Sequence, residues 1–311
     1  MNTSLDDIKV DAVISWVDGN TDAYKDKITP YLKKQAIDAK SFNSRYAQVN
    51  EIEYTVNSIL KYAPFVESIY IITDNQTPEF LRQTVSKYNK VNIIDHNIVF
   101  EGLEHNLPTF NSRTIESCIH RIPELSEHFI YLNDDFFIIN PTTKNDFFTD
   151  KGYPILRGMW QQFESKKFYK KEKKDKATHK VAQEKAAKIL GFKKLYRFKH
   201  TPHAMRKSTL ATFFNKNPEV FQENIKYKFR NRAQFLPVAL ANHLEIKNKT
   251  CHFKSDLQLM YFRSYKKPMI WYKFKLNVKA KRNLFLGLQS LDRSPPHILD
   301  YILNWLDERV S

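Results

Sequence analysis

His128-Phe-Ile-Tyr-Leu-Asn-Asp-Asp-Phe-Phe-Ile138 decides the fold. An apolar run of strand length breaks into Asn133-Asp134-Asp135 and resumes as Phe136-Phe137-Ile138. A short strand that is apolar throughout is buried on both faces, as in parallel sheets covered by helices. The pattern recurs toward the N-terminus. Asp11-Ala-Val-Ile-Ser-Trp-Val17 runs into Asp18, Ser68-Ile-Tyr-Ile-Ile-Thr73 into Asp74, and Val91-Asn-Ile-Ile94 into Asp95-His96. Between these runs the apolar residues take helical spacing: Ile52, Val56, Ile59 and Leu60, then Ile115, Cys118, Ile119 and Ile122. Pro78 is expected to open a further helix, because its missing N–H suits a first turn. Strand and helix in alternation predict an α/β fold, a Rossmann-like and mostly parallel sheet flanked by helices.

The second half reads as more helical and more basic. Residues 166–180 are crowded with lysine, Val181 to Leu190 reads as a short helix, and Pro296 to Val310 carries the stripe of a closing amphipathic helix. Pro268 to Leu276 alternates aromatic and lysine residues at strand-like spacing. A boundary near residue 150 is expected, separating a core of 1–150 from a basic region of 151–311 that completes it within one integrated domain.

The bulk properties narrow the function. With 311 residues, 42% apolar and 14% aromatic, the chain has material for a large core. Six glycines and no GxGxxG or GxxxxGK[ST] exclude the common glycine-rich phosphate loops, so bound phosphate is held by side chains and helix ends. A net charge of +16 favours anionic partners. Nucleic acid is not expected among them, because no standard binding signature appears. Cys118 and Cys251 have no spacing of a disulfide framework or thiolate site. The opening MNTSLDDIKV lacks the features of a signal peptide and no run of 18 apolar residues occurs, so the cytoplasm is the expected location.

In a parallel sheet the strand ends share one edge, where open α/β folds bind ligands. Asp18, Asp74, Asp95, Asp134 and Asp135 gathered there repel one another unless a cation intervenes. Mg²⁺ or Mn²⁺ is the expected ion. The competing reading is that these residues cap turns. Thr201-Pro-His203 adds an imidazole and Phe229-Arg-Asn-Arg232 two guanidinium groups, suited to general-base and phosphate-binding roles or to the surface.

These residues resemble a known family. Asp11 to Gly19 is similar to the first block of the Stealth proteins, which are capsular and exopolysaccharide sugar-phosphate transferases related to the N-acetylglucosamine-1-phosphotransferase α/β subunit. The second block is matched by Arg45, Asn50-Glu51, Ser58 to Pro64 and Ile69 to Gln76. It continues through Leu107-Pro-Thr-Phe-Asn-Ser112, Ile115-Glu116, Phe129 to Asp135 and Asp146-Phe-Phe148. Pro202-His203 and Tyr227-Lys-Phe-Arg230 resemble the third block. The fourth departs, with Leu286-Gly-Leu-Gln-Ser290 where an Asn-Asp pair is usual, and Glu53 and Asn57 stand where arginine is usual.

The resemblance implies transfer of a sugar-1-phosphate from a UDP-sugar to a hydroxyl of a polysaccharide or lipid-linked glycan, with release of UMP. Its functional set falls on Asp11, Glu116, Asp135, His203 and Arg230. His203 is the expected base and Glu116 its rival, with Asp134 and Asp135 on the metal. Asp18, Arg45, Asp74, Gln76 and Asn133 would bind the donor. Asp11 has a competing structural role, pairing with an arginine such as Arg45. A metal-dependent glycosyltransferase releasing UDP is the alternative activity. The lysine tract is either a solvated segment or a peripheral contact with an anionic membrane.

Overall fold

The structure, a computed structural model, describes residues 5–35, 49–82, 86–164 and 177–310. Its strands run in chain order β1 (Val10–Ser15), β2 (Val66–Thr73), β3 (Val91–Asp95), β4 (His128–Asn133), β5 (Phe136–Ile138) and β6 (Ile155–Gln161), followed by β7 (Leu195–Phe198), β8 (His203–Arg206), β9 (His252–Lys254), β10 (Leu259–Phe262) and β11 (Phe285–Leu288). The central sheet has the order β3-β2-β1-β4-β8. Its first four strands are parallel and β8 joins antiparallel, with Tyr131 opposite His203. The α/β, mostly parallel fold read from the sequence is the fold observed.

Side chains alternate across a strand, so β1 feeds two cores. Val10, Ala12 and Ile14 pack with Ile52, Val56 and Ile59 of the helix Glu51–Tyr62. Val13 faces the other way, into a cluster with Phe129, Tyr131, Ile115, Cys118 and Ile119. Both helical stripes legible in the sequence are thus the covers of the sheet. The strand order reverses between β1 and β4, which makes the crevice beyond their C-terminal ends the place where such sheets take ligands.

Two local expectations fail. After Pro78 the described residues form 3-10 turns, Glu79–Leu81 and Ser86–Tyr88, in place of an α-helix. Pro268 to Leu276 is no strand: Met269–Phe274 is α-helical and continues as a π turn, Lys275–Lys279. The alternation there is two helical stripes interleaved. Tyr272, Leu276 and Ala280 are buried at four-residue spacing, while Ile270, Phe274 and Val278 repeat the same spacing on the exposed side. Asp95 takes the capping role, its carboxylate accepting the Asn97 N–H at 2.8 Å at the start of the helix His96–Val99.

The two halves of the chain share their sheets. β8 hydrogen-bonds β4, and β11 pairs antiparallel with β5 in the sheet β10-β11-β5. β7-β6-β9 forms a third sheet. The helices expected at Val181–Leu190 and Pro296–Val310 are present as His179–Ile189 and Pro296–Val310. No described helix is long and apolar enough to cross a membrane. Most of the lysine tract, 166–176, lies outside the described residues.

Candidate active site

Asn111 organises one wall. It is fully buried and caps the helix Ser112–Cys118 by accepting the Arg113 N–H at 3.2 Å. Its amide donates to Tyr227 O at 3.0 Å and to Gln234 Oε1 at 2.8 Å. Thr114 Oγ1 donates to the same Tyr227 carbonyl, and Phe110 stacks on Phe229 with centroids 5.3 Å apart. These contacts clamp the segment 227–234 onto the start of the helix. Arg230 is thereby aimed at Ser112, its Nη2 donating to Ser112 Oγ at 2.9 Å.

Glu116 lies one turn further along that helix. With Arg113, Arg230, Tyr131, Asn133 and His203 it lines a narrow pocket of about 70 Å³. The Glu116 carboxyl is buried, and Oε2 has no hydrogen-bond partner. Burial pushes its pKa up to about 7, against the opposing pull of the Arg230 and Arg113 guanidinium groups. His203 sits at the head of β8 with its ring against Phe198, centroids 4.7 Å apart. Burial, and then neighbouring His200, push its imidazole down to about 3, so it is neutral at pH 7.

The Asp134-Asp135 turn is pinned from two sides. Thr55 Oγ1 donates to Asp134 O at 2.6 Å, and the Leu288 N–H of β11 donates to Asp135 O at 3.0 Å. Asp135 Oδ1 is buried without a hydrogen-bond partner. Burial, then the charges of Asp134 and Glu51, hold its pKa well above the usual carboxylate range. Glu51 is itself pushed up to about 7, by burial first and Asp134 second. Among the described residues no three His, Cys, Asp or Glu side chains are arranged as a metal cage. The orphaned oxygen and the crowded carboxylates fit a divalent ion held by Asp134 and Asp135, with phosphate and water completing its shell.

A larger cleft of about 640 Å³ opens beyond β1 and β2, lined by Trp16, Asp18, Lys27, Asp74, Gln76 and Arg82 among others. A smaller cavity lies between the cleft and the pocket. It shares Trp16 and Tyr24 with the one, and Ser112, Asn133 and Arg230 with the other. Gln76 shapes the cleft: its Oε1 accepts the Asp18 N–H at 2.8 Å and its Nε2 donates to Asp18 O at 2.9 Å. Asp74 Oδ1 accepts Lys27 Nζ at 2.6 Å, while Oδ2 is buried without a partner. His96 packs behind Asp74, pushed down to about 4 by burial and hence neutral.

Glu116, Asn133, His203 and Arg230 converge in the pocket, Asn133, Asp134 and Arg230 in the connecting cavity, and Asp18, Asp74 and Gln76 in the cleft. Asp11 joins none of these. It is 2% exposed on β1, and its two oxygens accept the Ser68 N–H at 3.1 Å and the Ser126 N–H at 2.7 Å. Arg45 lies outside the described residues. Sequence reading passed over Arg113, Tyr131, His179 and His200, which also line the pocket. Nothing in the local pattern of Arg113, His179 or His200 marks them, and Tyr131 lies in a matched block; the fold brings the four in from separate segments. Glu51 carried a signal, since it begins a helix and lies in a matched block.

Residues 45–156 match the family model described as Stealth protein CR2, conserved region 2. The chain carries a Stealth conserved region. The family resemblance drawn from the sequence is established over that stretch, which contains Glu116, Asn133, Asp134 and Asp135. A capsular polysaccharide phosphotransferase of Actinobacillus pleuropneumoniae is 40% identical over 153 residues, 48% of this chain and 41% of that protein. One of Haemophilus influenzae is 42% identical over 156 residues, 49% of this chain and 40% of that protein. An exopolysaccharide phosphotransferase of Streptomyces coelicolor is 31% identical over 235 residues, 74% of this chain and 42% of that protein. The matches thus span about two fifths of the length of these relatives. Among solved structures, the galactosyltransferase LgtC with donor and acceptor sugar analogs aligns at TM-score 0.48 and 10% identity, over 97% of this chain and 96% of that one. The apo form of the Streptococcus pneumoniae glycosyltransferase GlyE aligns at TM-score 0.48 and 12% identity, over 96% of this chain and 60% of that one.

Proposed function

We propose that this protein transfers a sugar-1-phosphate from a UDP-sugar to a hydroxyl of a capsular or exopolysaccharide glycan. The observation that carries the reading is the meeting of Glu116, His203, Arg230 and Asn133 in one pocket beside the sheet's switch point, next to a cleft of nucleotide size. The nucleoside occupies the cleft near Asp18 and Asp74, and the pyrophosphate lies over Asn133 and Arg230. A divalent ion on Asp134 and Asp135 would supply charge neutralisation of the pyrophosphate when bound.

The acceptor oxygen attacks the β-phosphorus, forming a new P–O bond. The bond from that phosphorus to the bridging oxygen breaks, and UMP leaves with the electron pair. Arg230 stabilises the oxygens on which charge spreads. Of the two candidates for the acceptor's proton, Glu116 is the better matched, because a carboxyl near 7 is poised at operating pH. His203, held near 3, is a poor proton acceptor; as a neutral imidazole it orients the hydroxyl by hydrogen bonding.

The test is mass spectrometry of nucleotide products after incubating the protein with Mg²⁺, UDP-sugars and oligosaccharide acceptors. UMP together with an acceptor gaining sugar plus phosphate is the expected outcome. UDP with an acceptor gaining sugar alone would overturn the proposal in favour of glycosyl transfer.

A further inference from the structure

The segment from Met269 to Arg282 presents an apolar stripe to solvent. Ile270 is 71% exposed, Phe274 49% and Val278 49%. They recur every four residues along one helical run, so they form one line rather than scattered apolar residues. The stripe is not an overflow of the core face. Tyr272, Leu276 and Ala280 fill that face, two residues out of phase, which on a helix is nearly the opposite side.

The flanks of the stripe are basic. Lys266, Lys267, Lys273, Lys279, Lys281 and Arg282 are all exposed. Between Asp256 and Asp292 the sequence holds eight Lys and Arg and no Asp or Glu. A helix lying in a lipid interface has this composition: apolar side chains directed to the acyl boundary, cations beside them to meet anionic headgroups.

We propose that the exposed face of Met269–Arg282 docks this protein on an anionic membrane surface. Charge complementarity selects this occupant. A second copy docking through the same stripe would set two like-charged faces against each other, which costs association. Nucleic acid would use the lysines and leave Ile270 and Phe274 without a role. Docking here also sets the membrane on the side of the Asp135 and Glu51 carboxylates. Tyr272 stacks on Tyr265 with centroids 6.4 Å apart, and Tyr265 lies beside Asp135 and Glu51, whose charges add to burial in raising its pKa. The docking surface itself does not rest on the proposed reaction.

The experiment is vesicle co-sedimentation with the full chain, using neutral phosphatidylcholine and mixed phosphatidylcholine–phosphatidylglycerol vesicles at low salt and at about 0.5 M salt. The wild type is expected on the anionic vesicles alone, and is released by salt. Ile270→Ser/Phe274→Ser/Val278→Ser, all at exposed positions, should bind at least tenfold more weakly with an unchanged melting temperature. Lys273→Gln/Lys279→Gln/Lys281→Gln/Arg282→Gln should lose the preference for anionic lipid. Wild type that ignores anionic vesicles, or a serine variant that binds them as the wild type does, would overturn the proposal. So would a wild-type dimer that the serine variant dissociates without any vesicle binding.

Discussion

Asp11 is where the family resemblance and the structure pull apart, and its replacement by alanine separates them. The carboxylate of Asp11 accepts two backbone N–H groups, from Ser68 at the start of β2 and from Ser126 ahead of β4. It therefore ties β1 to the entries of both neighbouring strands, outside the pocket, the cavity and the cleft. Removing it strands two partly buried amides, at about 1–3 kcal/mol each before relaxation. A net loss of about 2–4 kcal/mol is expected, which is roughly 30- to 1,000-fold in the ratio of folded to unfolded protein. Asp11→Asn should lose nearly as much, because its amide nitrogen would face one of the two N–H donors. The assay is equilibrium unfolding in urea, read by tryptophan fluorescence and by circular dichroism. It requires no substrate. Both variants should unfold at clearly lower urea while the folded fraction still binds donor nucleotide as the wild type does. An Asp11→Ala protein that unfolds at the wild-type urea concentration would refute the reasoning and return Asp11 to the catalytic set.

Glu116→Gln tests the proposed base. Transfer by the wild type should rise with pH through about 7, since the base acts as the carboxylate, and the variant should lose that limb along with roughly 10²-fold or more of its turnover. The same group links to stability: a carboxyl raised from 4.5 to about 7 on folding contributes fully below pH 4.5, and that contribution is lost as pH rises through 7. Relative to the wild type, the Gln variant should gain up to roughly 3 kcal/mol between pH 4.5 and 8.5, read by unfolding at both. Arg230→Lys keeps the charge but loses the planar fork; donor affinity should fall modestly and turnover by about 10²-fold, as steady-state kinetics would show. A Cβ on Gly287 would meet the Phe136 ring at 2.4 Å and Tyr261 at 2.7 Å. Gly287→Ala should therefore destabilise the protein by about 1–3 kcal/mol, with the tyrosine and phenylalanine signals beside Asp135 shifted in NMR spectra. Asn111→Ala breaks three hydrogen bonds of a fully buried amide and should cost about 2–4 kcal/mol, with faster proteolysis of the segment 227–234.

What could be read from the sequence was what short-range pattern encodes. The apolar runs of β1 to β4 and the stripes of Ile52 and Ile115 follow from burial on two faces and from helical period, so the parallel core was legible. Its far edge was not. β8 is four residues long and joins antiparallel, and His-Ala-Met-Arg has no strand signature of its own. Met269–Lys279 misled for a specific reason: two apolar helical stripes two residues out of phase look in sequence like the alternation of a strand. At the site, Asp134 and Asp135 announced themselves by breaking an apolar run. Glu116 and Asp11 carry no such mark, because a buried carboxylate in a helix and one in a strand look alike until their partners are known. The segments around His203 and Arg230 gave weak signals, and gain meaning from the Asn111 clamp and from β8, both of which join residues far apart in sequence.

The antiparallel seat of β8 has a consequence for how the molecule is made. β4 ends at Asn133 and its edge partner begins at His203, so some seventy residues are synthesised between them. At typical rates of synthesis that interval lasts about 4–14 s. Until it ends, a nascent chain can assemble β1 to β4 yet leaves the edge of β4 open to pairing with another chain. The last strand thus seals an aggregation-prone edge and delivers His203 in the same event. A chain that stops before residue 203 lacks β8 and keeps that edge of β4 exposed.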